Sequence, residues 1–387
     1  MKKLAIITTH PIQYNAPLFK LLHERKNIEI KVFYTWSQAA TGIKYDPGFN
    51  KDVQWDIPLL EGYPFVFSEN ISASPGSHHY KGIDNPGLVK EISGWNADAV
   101  LIYGWNLKSH LRAMRFFYKR KPVIFRGDST LLDEQPGLKK ILRRIYLRYI
   151  FSSVNTALFA GKANKEYFLA HGLRENQLVF MPHAVDNQRF VNKHETIEKG
   201  AALRAQLNIP DHATVFLFAG KLEPKKQPGM LTEVFTQLDA QNAYLVIAGS
   251  GQLEDRLRKL YAGKPNIRFI GFQNQQDIPS VYAAADVFVL PSRGPGETWG
   301  LSINEAMAAG KAIIASDACG AVYDLITVGV NGFVFNRNDK KALQRSLMYF
   351  LENREAGVSM GNASAEKIKE YDYIHDCMAI ESTVNES

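Results

Sequence analysis

Short apolar runs rich in β-branched and aromatic residues alternate with helical patterns along the chain. Near-continuous apolar strands separated by helices are typical of parallel sheets that are covered on both faces. The pattern predicts strands at 3–9, 28–35, 99–104, 122–127, 156–161, 215–221, 243–249, 267–271, 287–292, 312–316 and 332–335. Eleven strands are too many for one doubly wound sheet, so we predict an α/β fold with two such sheets in sequence.

A polar stretch interrupts this alternation near the middle of the chain. Residues 185–200 lack strand character, and the β-α pattern restarts at 215. A chain of 387 residues is also too long for a single core. We therefore predict an N-terminal Rossmann-like domain at 1–188 and a C-terminal Rossmann-like domain at 189–364.

Composition and cysteine spacing restrict the classes of protein to which the chain can belong. Apolar residues make up 45 % of the chain and charged residues 22 %, which is typical of a globular protein. Cys319 and Cys377 are far apart and belong to no CxxC or histidine motif, which argues against a disulfide scaffold, a zinc site or a redox motif. The first residues resemble a strand more than a signal peptide, and no apolar run approaches the roughly 20 residues of a membrane helix. We expect a cytoplasmic protein.

Positive charge is concentrated in residues 108–148. This segment holds twelve basic and three acidic residues, a charge of +9 against +7 for the whole chain. Within 137–151, five basic residues fall on one helical face and six apolar residues on the opposite face. The helix could pack its apolar face on the core, or dock on anionic lipid. We expect peripheral contact of 108–148 with the inner face of the membrane, and no nucleic acid, because no binding motif accompanies the patch.

The clearest chemical signal is the strand–turn–helix unit at 287–311. Ligands bind at the carboxyl ends of parallel strands, where the free amides of a helix N-terminus attract anions. The amides of Gly300, Leu301 and Ser302 are placed for a phosphate. Glu297 precedes this helix and Glu305 lies in its second turn, and a carboxylate can accept hydrogen bonds from a sugar diol. One glutamate on each side of a diphosphate suits a nucleotide-sugar.

Two lysines add positive charge to the same predicted edge. Lys221 ends the strand at 215–221 and Lys226 lies five residues further on, around a turn, so both could converge on one anion. Taken singly, each lysine is more often a surface charge and Glu305 more often a solvated helix residue. Their coincidence at neighbouring strand ends favours a binding site.

These motifs together resemble a known family. The two glutamates in an E-x₇-E pattern, GKLEPKK at 220–226 and PHAVDNQRF at 182–190 resemble the retaining GT-B glycosyltransferases of the large group 1, or family 4, glycosyltransferases. The resemblance implies a GT-B fold, with two Rossmann-like domains facing across a cleft and a C-terminal helix at 365–387 that packs back on the first domain. It also implies an enzyme.

The resemblance also assigns roles in the second half. Glu305 would hold the ribose, and Lys221 and Lys226, beside Gly220, would neutralise the diphosphate. Glu297 and the amides of Gly300, Leu301 and Ser302 would hold the transferred sugar and the β-phosphate. The backbone of Phe272 and Gln273 would meet the base. Such enzymes stabilise the leaving diphosphate with lysines and amides, so neither metal nor other cofactor is expected.

The first half offers weaker candidates for the acceptor side. His10, Gln13 and Tyr14 occupy the turn where family members commonly carry glycines, and the turn is either structural or a sugar-binding site. Arg126 and Asp128 lie at the end of the strand at 122–127 and would line the cleft, with Asp128 as a hypothetical general base. Tyr45, Trp55 and Trp105 lie in aromatic-rich loops and are either acceptor platforms or core residues.

The predicted function is retaining hexosyl transfer in surface polysaccharide or glycolipid biosynthesis. The donor would be a UDP- or GDP-sugar, and the acceptor a glycan or a lipid-linked sugar. Two alternatives stay open: a non-catalytic nucleotide-sugar or glycan-binding module, and a GT-B nucleotide-sugar epimerase. A pyridoxal-type phosphorylase would need a much longer chain.

Overall fold

The computed structural model divides into two units. It describes residues 1–39, 43–46, 48–191, 193–238 and 240–386, with only the backbone of residues 43 and 44. The first unit comprises Met1–Lys44, Ile57–His183 and Tyr373–Ser387, and the second comprises Tyr45–Asp56 and Ala184–Asp372. The division differs from the predicted boundaries: residues 45–56, 184–188 and 365–372 were predicted outside the C-terminal domain and lie in the second unit.

The first unit is built on a parallel sheet. Its described strands are β1 (Lys3–Thr8), β2 (Glu29–Tyr34), β5 (Phe65–Phe67), β6 (Ala99–Tyr103), β7 (Val123–Arg126), β8 (Thr156–Phe159) and β9 (Leu178–Phe180), in the spatial order β5-β2-β1-β6-β7-β8-β9. β3 (Ile43–Asp46) and β4 (Lys51–Gln54) form a separate two-stranded sheet. β1, β6 and β7 are buried on both faces, which is why they are continuous apolar runs in the sequence.

The second unit repeats this architecture. Its described strands are β10 (Thr214–Ala219), β11 (Ala243–Ala248), β12 (Ile267–Gly271), β13 (Val287–Leu290), β14 (Ala312–Ser316) and β15 (Gly332–Phe335), in the order β12-β11-β10-β13-β14-β15. Every registered neighbour pair is parallel. The chain runs outward from β10 to β12 and returns to β13 on the other side of β10. The topological switch point therefore lies between β10 and β13, where open α/β sheets bind ligands.

Helices cover the sheets of both units. Those of the first unit are α1 (Ala16–Glu24), α2 (Leu88–Gly94), α3 (Lys108–Phe117), α4 (Leu138–Phe151) and α5 (Lys162–Ala170), with short 3₁₀ turns at Ser37–Ala39, Tyr80–Gly82 and Glu175–Gln177. Those of the second unit are α6 (Asn187–Phe190), α7 (His194–Gln206), α8 (Pro228–Thr236), α9 (Glu254–Leu260), α10 (Ile278–Ala283), α11 (Leu301–Ala308), α12 (Val322–Leu325), α13 (Lys340–Glu352) and α14 (Arg354–Lys367), with 3₁₀ turns at Pro224–Lys226 and Ile368–Glu370.

The last helix, α15 (Tyr373–Glu386), belongs to the first unit and packs on α1. Arg25 Nε donates to Glu381 Oε1 at 2.7 Å, and Lys2 Nζ donates to the carbonyl of Val384 at 3.0 Å. The Glu381 carboxylate also accepts a hydrogen bond from Asn27. Of the predicted tail 365–387, the last residue lies outside the described part of the chain.

Helix α4 does not pack its apolar face on the core, which excludes the core-facing interpretation of the sequence pattern. Leu147, Ile150 and Phe151 are its buried residues, and Lys140 and Arg144 form ion pairs with Glu134. The residues of its outward apolar face are exposed, and these are Leu138, Ile141, Leu142, Ile145, Tyr146 and Tyr149. In the described part of the chain no helix is both long and apolar enough to cross a bilayer.

A buried histidine in α3 makes the stability of the first unit sensitive to acid. His110 is fully buried, its Nδ1 donates to the carbonyl of Tyr103 at 2.9 Å, and its Nε2 lies 3.0 Å from Thr35 Oγ1. Burial lowers the pKa of His110 to about 4, although the carbonyl contacts oppose this. An unfolded histidine has a pKa near 6.5, so between these values the unfolded chain takes up a proton that the folded chain refuses.

We therefore expect the free energy of unfolding to fall as the pH drops from about 6.5 towards 4. Urea unfolding at pH 7 and pH 5 should show that the wild type loses about 2 kcal/mol more than His110→Gln. His194→Gln is the matched control, because the side chain of His194 is 90 % exposed. Equal losses in the wild type and in His110→Gln would contradict the assignment.

Candidate active site

The candidate site lies at the switch point of the second sheet. β10 and β13 are hydrogen-bonded neighbours, with Leu217 opposite Phe288, so their carboxyl ends meet at one edge. The turn after β10 carries Lys221 and Lys226, and the loop after β13 leads through Glu297 to α11. Topology therefore explains why residues distant in sequence share this edge.

A buried ion pair joins the two loops. Lys226 Nζ lies 2.8 Å from Glu297 Oε1 and 2.6 Å from Oε2, and only 6 % of Glu297 is exposed. The Ser292 hydroxyl donates to Glu297 Oε2 at 2.9 Å. A buried carboxylate is costly to desolvate unless it is paired and hydrogen-bonded, and here it is both. The environment also affects the nearby Cys319 thiol. Burial, and next the negative charge of Glu297, raise the pKa of Cys319 to about 12.

The amides at the start of α11 are the second component of the candidate site. Gly300 has a φ of +100° and precedes the helix, and its carbonyl accepts from Ile303. In the described part of the chain, the amides of Gly300, Leu301 and Ser302 donate to no protein group. A Cβ at Gly300 would lie 3.6 Å from Glu297 Oε1, so the amides, Glu297 and Lys226 are neighbours. The structure thus brings together the residues of the predicted anion site, and anion binding by them stays a prediction.

Glu305 lies further along the same helix. It is 5 % exposed, and the Tyr282 hydroxyl donates to its Oε2 at 2.8 Å. The same hydroxyl lies 3.4 Å from the carbonyl of Ser302. Tyr282 comes from α10 and is itself buried, so it fixes the orientation of the Glu305 carboxylate.

Lys221 and Lys226 have different partners. Lys221 Nζ lies 2.8 Å from Asp46 Oδ1, whereas Lys226 is paired with Glu297. Gly220, immediately before Lys221, approaches the next strand so closely that a Cβ at Gly249 would lie 1.9 Å from its carbonyl oxygen. The predicted convergence of both lysines on one anion stays a prediction.

Phe272 and Gln273 follow β12, at the edge of the same sheet. The Phe272 ring lies 4.9 Å from the ring of Phe49 and 6.2 Å from that of Trp55, centroid to centroid. Gln273 Nε2 donates to the carbonyl of Ile270 at 2.8 Å. Trp55, which the sequence suggests as an acceptor platform in the first half, therefore lies against the second sheet.

The candidates in the turn after β1 lie within the first unit. His10 Nδ1 is 2.9 Å from Thr9 Oγ1, and its ring meets Trp36 edge-on at 5.3 Å. His10 and Tyr14 are half-buried. Trp105, another of the three aromatic candidates, packs against Tyr146 of α4. Their predicted roles towards a sugar stay predictions.

Arg126 has a structural task in this unit. It is 6 % exposed, and its guanidinium donates to the carbonyls of Leu158, Met181 and Pro182 at 2.7–3.2 Å. Three carbonyl partners satisfy most of its fork and hold β8 to the 181–182 segment. Its predicted contact with a ligand stays a prediction.

Asp128 is exposed, and the half-buried His183 lies near it. Burial, and next the charge of Arg126, lower the pKa of His183 to about 4, while the charge of Asp128 opposes this shift. His183 is therefore neutral at pH 7. In the sequence, His183 is the second residue of the motif at 182–190, and no pattern there indicates this cluster.

Three further residues of the site were missed by sequence reasoning. Ser292 and Tyr282 support the two glutamates, and Asp46 pairs with Lys221. Ser292 ends the predicted strand at 287–292, so its place at a strand end is a usable signal. Asp46 is 175 residues from Lys221, and no local pattern marks it. Among the described residues, no three histidine, cysteine or acidic side chains gather as a metal site.

Comparison with known proteins relates this geometry to a family. Residues 201–367 match the family model Glycosyl transferases group 1. A sulfoquinovosyl transferase of Arabidopsis thaliana is 29 % identical over 59 % of this chain and 44 % of its own. A GDP-mannose-dependent monoacylated alpha-(1-6)-phosphatidylinositol monomannoside mannosyltransferase of Corynebacterium glutamicum is 30 % identical over 63 % and 62 %. The chain thus spans less than two thirds of either relative.

Solved structures support the fold. The crystal structure of Anabaena HepE in complex with UDP matches the whole of both chains with a TM-score of 0.73 at 18 % identity. The predicted GT-B fold of two parallel-sheet α/β domains is confirmed, and so is the resemblance to group 1 glycosyl transferases. The family match and the named relatives support the prediction of a glycosyltransferase enzyme.

The Lys226–Glu297 pair can be tested through stability. Lys226→Met leaves Glu297 buried without its cation and should lower the free energy of unfolding by about 3 kcal/mol. Lys226→Met combined with Glu297→Gln removes the unpaired charge and should recover part of this loss. Lys225→Met is the matched control, because Lys225 is 39 % exposed and its loss should change stability by less than about 0.5 kcal/mol. A double variant no more stable than Lys226→Met would contradict the pairing.

Proposed function

We propose that the protein transfers a hexosyl group with retention of configuration, because residues 201–367 match the family model Glycosyl transferases group 1. The donor is a UDP- or GDP-sugar. The acceptor is a glycan or a lipid-linked sugar, in the biosynthesis of a surface polysaccharide or glycolipid. Neither a metal nor another cofactor takes part.

One observation carries this proposal. Lys226, Glu297 and the amides at the start of α11, which donate to no protein group among the described residues, are neighbours at the switch point of the second sheet. The amides and the ammonium supply positive charge, and the positive end of the helix dipole lies behind them. Glu297 supplies an acceptor for sugar hydroxyls. A nucleotide-sugar offers both an anion and hydroxyls within one molecule.

The chemical step follows from where charge develops. The bond between the sugar anomeric carbon and the β-phosphate oxygen breaks, and the acceptor oxygen bonds that carbon on the same face. The acceptor proton passes to the departing phosphate, and a nucleoside diphosphate leaves. Lys226 and the amides of Gly300 to Ser302 stabilise the negative charge that grows on this phosphate. They supply the positive charge for which other transferases use a metal ion.

We assign the ribose and the base of the donor to residues at the same edge of the sheet. We place the ribose hydroxyls at Glu305, whose carboxylate Tyr282 orients. The base lies at the backbone of Phe272 and Gln273. His10, Tyr14, Arg126 and Asp128 belong to the first unit, where we assign the acceptor, and Asp128 as general base is the alternative to proton transfer onto phosphate.

The names of relatives fit this substrate class. The mannosyltransferase of Corynebacterium glutamicum is named for GDP-mannose and a phosphatidylinositol mannoside, and the Anabaena structure holds UDP. These substrates are facts about those proteins. They leave the base and sugar used by this chain to experiment.

Donor binding tests the ribose assignment. Either UDP or GDP should raise the melting temperature of the wild type, since a ligand of the folded state stabilises it, while CMP should not. Glu305→Gln removes the charge from one acceptor and should weaken nucleotide binding roughly 10- to 100-fold in calorimetric titrations. Glu355→Gln, exposed on α14, is the matched control. Unchanged affinity in Glu305→Gln would contradict the assignment.

A transfer assay separates the enzyme from the alternatives. Incubation with labelled UDP- and GDP-sugars and a membrane lipid extract should give labelled glycan or glycolipid, at equal rates with and without EDTA. Nucleotide binding with neither transfer nor hydrolysis would favour a binding module, and an isomerised free donor an epimerase. Loss of transfer in EDTA would contradict a metal-free reaction.

We also propose that helix α4 docks on an anionic bilayer. Its outward face exposes Leu138, Ile141, Leu142, Ile145, Tyr146 and Tyr149, between 46 % and 78 % of each residue. Exposed Lys139, Arg143 and Arg148 flank this apolar face. Apolar side chains that enter the interface beside basic residues that meet anionic headgroups are typical of interfacial helices. Each basic residue contributes about 1 kcal/mol near such a surface.

Vesicle sedimentation tests the docking face. The wild type should bind phosphatidylcholine vesicles that contain phosphatidylglycerol, bind pure phosphatidylcholine less, and dissociate as salt rises. Ile145→Glu should weaken binding about tenfold or more without loss of stability, because Ile145 is 62 % exposed. Ile197→Glu, on α7 and 51 % exposed, is the matched control. Equal binding of vesicles by both variants would contradict the proposal. If the wild type forms dimers and Ile145→Glu is monomeric, the face binds a second copy of the chain instead of a membrane.

A further inference from the structure

Residues 45–56, which belong to the second unit, pack against its sheet at the carboxyl ends of β10, β11 and β12. The name "45–56 segment" is used below for its described residues, all but residue 47. Lys221 follows β10, Ser250 follows β11 and Phe272 follows β12, and the segment contacts all three. These strand ends are the edge to which the proposed function assigns the diphosphate and the base.

The central contact is between two charges. Lys221 Nζ lies 2.8 Å from Asp46 Oδ1 and 3.0 Å from Oδ2. Asp46 Oδ1 also accepts hydrogen bonds from the amides of Gly48 at 2.8 Å and Phe49 at 3.2 Å. Partial burial raises the pKa of Asp46, but the hydrogen bond and charge of Lys221 and the two amides lower it by more. The net effect is a pKa below the ordinary value of an aspartate. Asp46 is thus an anion bound by an ammonium and two amides.

An aromatic contact holds the same segment at β12. The Phe49 ring meets the Phe272 ring edge-on, and Lys51 Nζ lies 4.4 Å from the centre of the Phe272 ring. Phe49 also lies under Lys221, whose Nζ is 5.0 Å from its ring centre. These contacts are independent of Asp46, so the segment keeps an anchor at β12 when the ion pair breaks.

Hydrogen bonds to the backbone of the segment also hold it against the second sheet. Ser250 Oγ donates to the carbonyl of Phe49 at 3.1 Å, and Asn274 Nδ2 donates to the carbonyl of Gln54 at 2.8 Å. A Cβ at Gly251 would lie 2.7 Å from the Gly48 carbonyl oxygen. The chain of the 45–56 segment thus lies directly on the turn after β11, beside Lys221.

We propose that Asp46 occupies the Lys221 subsite of the donor diphosphate, so that the 45–56 segment and the donor compete for this cation. The inference rests on the proposed function, which assigns Lys221 to the diphosphate. A diphosphate carries more charge than one carboxylate and binds a lysine more strongly. Its arrival displaces Asp46, releases the turn at Gly48 and Phe49, and leaves the segment anchored at Phe272.

The competition predicts that removing the Asp46 charge strengthens anion binding. Asp46→Asn should bind UDP or GDP, whichever the wild type binds, and inorganic pyrophosphate about fivefold more tightly than the wild type. Uridine and guanosine, which carry no phosphate, should bind both proteins equally. Asp52→Asn is the matched control, because Asp52 is exposed in the same segment. In a Lys221→Met background, Asp46→Asn should change nothing.

Hydrogen exchange provides a second measurement on the wild type. The amides of Gly48 and Phe49 donate to Asp46, so pyrophosphate should speed their exchange, while the amides of β11 stay protected. Exchange that is unchanged or slower in saturating pyrophosphate would overturn displacement. Slower exchange would mean that the segment closes over the anion, and unchanged exchange that it stays in place.

The outcomes separate this inference from the proposed function. Weaker or equal pyrophosphate affinity in Asp46→Asn overturns the competition, whatever nucleotides do, because Asp46 then positions Lys221 or is idle. Tighter pyrophosphate binding without any nucleotide binding supports the competition and rejects the donor assignment. Tighter binding of both ligands, abolished by Lys221→Met, supports the two together.

Discussion

A buried carboxylate beside a helix N-terminus is the constraint on which the site of the second unit depends. Glu297 is taken out of water, so it needs a cation and hydrogen-bond donors, and Lys226 and Ser292 supply them. These groups come from the loops after β10 and β13, which only a parallel sheet with a switch point there brings to one edge. The fold, the ion pair and the open amides of α11 are therefore one arrangement, and it suits an anion that also carries hydroxyls.

Much of this arrangement could be predicted from the sequence because its causes are local. The eleven apolar runs are all strands in the structure, since buried parallel strands must be apolar on both faces. The turn at Gly300 and the helix that follows are marked by glycine and by helical periodicity within a few residues. The meeting of Lys226 and Glu297 needed one further step, that loops after parallel strands share an edge. The short strands β5 and β9 were missed because three residues carry too little pattern.

The rest depends on contacts that no local pattern encodes. Periodicity gave α4 its two faces but not the direction of each, and the structure turns the apolar one outward. Arginine is a residue type that often binds anionic ligands, but the guanidinium of Arg126 donates to three backbone carbonyls. Only the folded path of residues 158–182 shows these partners. The sequence prediction placed the 45–56 segment in the N-terminal domain with its sequence neighbours, because no local pattern indicates that it contacts Phe272 and Lys221.

The two lysines of the site show how one chemistry can serve two purposes. Lys226 faces a carboxylate that is 6 % exposed, held by a serine and fixed at the entry to α11. Lys221 faces Asp46 in a pair whose side chains are 34 % and 26 % exposed, so water and competing anions reach it. Screening and solvation make an exposed pair weak, whereas a buried one is costly to break. The first pair is therefore suited to shape the site permanently, and the second to be exchanged for a ligand.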